Sequence, residues 1–94
     1  MRKNLGSEPG LHTEMADRGY FFARRLAGTA ASLAKRGRCE EGLNTFEDAV
    51  YYLGKADAHE YGAGGTSAKL QADRDRARKA VAKARMSVHK SCRR

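Results

Sequence analysis

A chain of 94 residues with 19 Lys or Arg against 11 Asp or Glu carries a formal net charge of +8 and makes at most one domain. A single proline and frequent charged residues argue against a sandwich or barrel and fit an all-α chain. No run reaches the roughly 18 apolar residues that span a membrane, and no apolar core follows Arg2 and Lys3, so neither an anchor nor a secretory signal is expected. Two cysteines, Cys39 and Cys92, fall short of a disulfide framework. The expectation is two free thiols in a reducing cytoplasm, that of a host if the chain is phage-encoded.

Residues 1–12 contain Gly6, Ser7, Pro9 and Gly10 without periodicity, and a flexible arm is expected there. Residues 13–94 are expected to form one three-helix antiparallel bundle. The first helix is predicted over 13–36, with Thr13 as its cap and Glu14 and Asp17 near its positive end. Met15, Phe22, Leu26 and Leu33 define its seam. A ridge of small residues (Gly19, Ala23, Ala27, Ala30, Ala34) lies beside it. Gly37 is placed to stop this helix.

A second helix is predicted over 39–61, or from Asn44 with Glu47 completing a capping box. Its seam is Leu43, Phe46, Val50 and Leu53, with Ala49 alongside. Gly62 to Gly65 then makes a joint. Thr66 or Ser67 caps a third helix over 67–90, whose seam is Leu70, Ala77, Val81, Ala84 and Val88.

The charge is segregated. Residues 66–94 hold ten Lys or Arg and two acids, a balance of +8, whereas residues 1–65 hold nine of each sign. Lys69, Arg76, Lys83 and Lys90 recur every seven residues and fall on one line of the third helix. Arg74, Arg78, Lys79 and Arg85 add to its basic surface. Such a line suits a phosphate backbone or an acidic protein surface.

Aromatic residues supply a second candidate surface. On a helical wheel Phe21 points away from the Phe22–Leu26–Leu33 seam and lies near Arg18, Arg24 and Arg25. Tyr51 and Tyr52 diverge from the second seam. Exposed rings beside arginine suit a binding hot spot or base stacking. Metal chemistry has little to stand on: His89 and Cys92 are three apart, but a second ligand pair is missing and His12, His59 and Cys39 stand isolated in sequence. Gly62 to Ser67 lacks the lysine of a P-loop, and nothing marks a cleft for Glu47, Asp48 or Asp57. No catalytic residue, metal or cofactor is expected.

With Gly37 at its turn, Gly42 at a small-residue position, and Phe46 and Ala49 following, the stretch 26–53 resembles one tetratricopeptide-type helical hairpin. Gly54 stands where that family usually places proline, and no second unit follows, so the resemblance implies a hairpin and not a stacked groove. The run Gly37-Arg38-Cys39-Glu40-Glu41-Gly42-Leu43, with Phe46-Glu47-Asp48-Ala49, is similar in style to small uncharacterised helical proteins of tailed phages and prophages. That likeness implies a non-catalytic inhibitor or adaptor, of which anti-CRISPR proteins are one type. It would dock on a host protein or ribonucleoprotein complex through the basic helix and exposed aromatics. The alternative is sequence-nonspecific binding of DNA or RNA by the basic helix. The thin apolar content also suits a homodimer.

Overall fold

A computed structural model describes residues 9–64 and 67–92, with side chains described from residue 11. The eight N-terminal residues of the expected arm, residues 65 and 66, and the two C-terminal arginines lie outside the described residues. Three helices follow one another: α1 (Pro9–Lys35), α2 (Cys39–Gly62) and α3 (Ala68–Cys92). They pack as an up-down-up bundle about 55 Å long, in which α1 touches both neighbours extensively and α2 and α3 meet least.

α1 begins four residues before the expected Thr13 cap. Proline suits a helix's first turn, where its missing N–H has no intrahelical partner to lose. Its end matches expectation. Gly37 adopts φ +82°, its N–H donates to the Ala34 carbonyl at 3.0 Å, and the Arg38 N–H donates to the Leu33 carbonyl at 2.9 Å. This pair of bonds ties off the last turn and reverses the chain. α2 then starts at Cys39 rather than Asn44. Ser67 caps α3, its Oγ accepting the Leu70 N–H at 3.1 Å.

The core sits on the small residues. Ala16, Ala23, Ala27, Ala30 and Ala34 of α1 are buried, as are Ala49 and Ala56 of α2. The expected seams of the first two helices are corrected accordingly. Met15 and Phe22 are 41% and 48% exposed, and Leu43 and Val50 are 43% and 40% exposed. Helices that meet along alanine and glycine approach too closely to enclose larger side chains, which are left on the flanks. A Cβ built on Gly19 would lie 2.8 Å from the Ala56 Cβ, and one on Gly42 would lie 3.2 Å from the Ala34 backbone nitrogen. The α3 seam is as expected: Leu70, Ala77, Val81, Ala84 and Val88 are all buried. Each buried alanine methyl contributes about 0.8 kcal/mol against about 1.5–3 for a large aliphatic side chain, so this core is thin.

Two further features hold the helices together. Cys39 and Cys92 form a disulfide with a Cα–Cα distance of 5.5 Å, tying the start of α2 to the end of α3. The expectation of two free thiols is overturned, and the expected cytoplasmic location loses that support. The cysteines are 53 positions apart in sequence, and only the antiparallel run of α2 and α3 brings them together. The second feature is a buried polar knot around Tyr20. Its hydroxyl lies 2.6 Å from Glu60 Oε1 and 2.7 Å from Asp57 Oδ1, sharing its one proton between two carboxylates. Arg74 donates to Glu60 at 3.3 Å and Arg78 to Asp57 at 3.3 Å, so the knot joins all three helices. Burial first, then the bonds to Glu60 and Asp57 and their charge, push ionisation of the Tyr20 phenol far above its ordinary range.

Candidate docking surface

Tertiary packing divides the expected basic surface in two. In its first half the cations serve the bundle. Lys69 bridges Asp17 at 3.1 Å and Asp73 at 2.9 Å, and Arg76 pairs with Asp73 at 2.7 Å. Hydrogen bonding with Asp17, then with Lys69 and Arg76, holds the Asp73 carboxyl down at about 2. Arg74 and Arg78 are engaged by Glu60 and Asp57, and the Arg74 side chain is largely withdrawn from solvent. Four of the expected partner-binding cations, Lys69, Arg74, Arg76 and Arg78, are therefore paired within the chain, with Lys69, Arg76 and Arg78 still more than half exposed. In the second half no acid follows Asp75. Among the described residues Lys79, Lys83, Arg85 and Lys90 make no ion pair, and all four are exposed. The Arg85 guanidinium lies over the Phe46 ring at 5.7 Å.

The aromatics form a continuous surface across α1 and α2. Phe21 and Phe22 meet edge to face at 5.8 Å, Phe22 meets Tyr52 at 5.8 Å, and Tyr52 meets Tyr51 at 5.5 Å. All four rings remain substantially exposed, Phe21 and Tyr51 more than half. The physical cause is the close approach at Gly19 and Ala56, which brings the two backbones together and turns the flanking rings outward. Cations frame this row. The Arg25 guanidinium stands over Phe21 at 5.7 Å and the Lys55 ammonium over Tyr51 at 5.8 Å. Arg18 pairs with Glu14 at 2.9 Å, while Arg24 is exposed beside a cavity of about 500 Å³ that Phe21 and Phe22 also line.

Phe21, Tyr51 and Tyr52 are thus brought together as one surface, and Phe22, expected in the core, is its central member. A shallow apolar groove of about 220 Å³ continues it between α1 and α2, lined among others by Met15, Phe22, Tyr52 and His59. Tyr20 is the functional-looking aromatic whose role the wheel conceals. It falls on the Ala16–Ala23–Ala27 side of α1, and that small-residue spacing was the available signal. No group of three or more His, Cys, Asp or Glu side chains converges on a common point among the described residues. No helix among them is long and apolar enough to cross a membrane. The chain matches no known family, no curated protein and no solved structure.

Proposed function

We propose that this chain is a non-catalytic protein-binding module, an inhibitor or adaptor of the small phage-encoded type, whose aromatic row docks on an acidic-rimmed apolar surface of a host protein or complex. The observation that carries this reading is the row Phe21–Phe22–Tyr52–Tyr51, exposed across two helices with Arg25 and Lys55 over its ends. Large rings grouped in this way lose little side-chain entropy on binding and bury much apolar area, which is why such groups dominate binding energy. The framing cations select an acidic partner and speed association. Phage origin and an anti-defence role such as anti-CRISPR activity rest on the sequence likeness around Gly37–Ala49.

The experiment is capture of a partner from host lysate at moderate salt after nuclease treatment, followed by affinity measurement with the purified partner. Phe21→Ala with Tyr51→Ala removes the two most exposed rings of the row and leaves the core untouched. The double variant is expected to bind at least ~30-fold more weakly, the loss of one hot spot. Unchanged affinity in that variant refutes the docking row.

A second reading, nonspecific binding of DNA or RNA, draws on the acid-free half of α3 with Lys79, Lys83 and Lys90 exposed. It requires that retained material vanish with nuclease, that affinity fall steeply with salt, and that Lys83→Glu with Lys90→Glu abolish binding.

A further inference from the structure

His12 and His59, 47 residues apart, meet at one end of the bundle with their Nδ1 atoms 3.1 Å from each other. The ring centroids are 5.3 Å apart and the planes tilt by 35°, so the imidazoles face each other edge to edge rather than stacking. Both are half-buried. The His12 ring lies flat against the last turn of α2: a Cβ built on Gly62 would meet its Cγ, Cδ2 and Cε1 all at 3.4 Å. Lys55, one turn before His59, has its ammonium over the Tyr51 ring.

We infer that His12 and His59 form a two-imidazole site for a nitrogen-preferring divalent cation of the zinc and nickel class, clamping the first turn of α1 to the last turn of α2. With metal–nitrogen bonds of about 2.0–2.1 Å, the 3.1 Å spacing subtends roughly 98° at the metal, between the square and tetrahedral angles. Converging the two lone pairs on one ion turns each roughly 40° off the Nδ1–Nδ1 line, by side-chain rotation of the two histidines. The pair shares one Nδ1 proton when both rings are neutral. On binding, the donating ring passes to its Nε2–H tautomer, both Nδ1 atoms ligate, and the protein's charge is unchanged. With no third protein ligand of His, Cys, Asp or Glu type converging among the described residues, water completes the shell. The site is therefore exchangeable, unlike a closed structural zinc site. Imidazole donors favour zinc, nickel and copper over magnesium.

The test uses the untagged, oxidised full chain, with thermal unfolding followed by circular dichroism. At about 1 mM Zn2+ or Ni2+ the melting temperature should rise by several degrees, and Mg2+ should leave it unchanged. His12→Ala and His59→Ala should each abolish the rise, and His89→Ala should retain it. No rise in the parent chain, or an equal rise in either of the first two variants, overturns the site. If those variants fail to fold, paramagnetic broadening by Ni2+ in the parent chain's nuclear magnetic resonance spectrum decides. Broadening centred on both His12 and His59 supports the site, and broadening elsewhere overturns it.

Discussion

Reduction of the Cys39–Cys92 disulfide tests the energetic reading of the bundle most directly. The bond closes a loop spanning 53 positions of sequence. Loop closure removes entropy from the unfolded chain in proportion to the logarithm of loop length, and for this length the chain-entropy relation gives about 4 kcal/mol at 25 °C. A domain of this size is stabilised by about 5–14 kcal/mol in all, so the bond supplies a substantial share. Its position sharpens the expectation. It joins α2 to α3, the pair with the sparsest contact, where Ala49, Ala80 and Ala84 make up half of their share of the apolar cluster, beside Phe46, Leu53 and Val81. Little apolar burial is available to hold the end of α3 in place once the bond opens. Urea unfolding of the oxidised chain, of the same chain with a phosphine reductant, and of Cys39→Ser with Cys92→Ser should separate the oxidised form from the other two. The two bond-free forms should coincide, with a lower midpoint and a steeper dependence on urea, because the unconstrained chain exposes more surface. Amide exchange should accelerate most around Val88. An unchanged midpoint after complete reduction refutes the loop argument and leaves the buried alanine contacts as sufficient.

The knot around Tyr20 gives a second expectation. Tyr20→Phe leaves Asp57 and Glu60 without their shared donor in a half-buried setting and should destabilise the fold by about 2–3 kcal/mol in the same urea assay. Because the fold holds the Tyr20 phenol neutral, its contribution is complete below about pH 10 and is lost as pH rises further. Absorbance titration should therefore show one tyrosine ionising only with alkaline unfolding, a step absent from Tyr20→Phe. The glycines separate packing from helix propensity. Gly19→Ala places a methyl 2.8 Å from the Ala56 Cβ and should lower stability by about 1–3 kcal/mol. Gly54→Ala, with nothing within 4 Å of the new Cβ, should raise it by about 0.5–1 kcal/mol in thermal or urea unfolding.

Much of the architecture was written locally. The period of α3 placed Leu70, Ala77, Val81, Ala84 and Val88 in the core, and Gly37 marked the turn, because helix period and turn chemistry depend on near neighbours. The wheel also turned Phe21, Tyr51 and Tyr52 outward, and they are exposed. What packing decided was which stripe of α1 and α2 became the interface. Both the large-residue seam and the small-residue ridge had helical spacing. The ridge won because alanine against glycine permits the closer approach, and Phe22 was left in the aromatic row. The pairing of Arg74 with Glu60, Arg78 with Asp57 and Lys69 with Asp17 was likewise tertiary, whereas Arg76 pairs with Asp73 on its own helix. Lys69, Arg74, Arg76 and Arg78 look alike in sequence to Lys79, Lys83 and Lys90, and among the described residues only the first group pairs with acids of α1, α2 or its own helix. The contacts Cys39–Cys92 and His12–His59 span 53 and 47 positions. Periodicity describes one helix at a time, whereas such contacts depend on the mutual register of two helices, which the alanine and glycine packing sets.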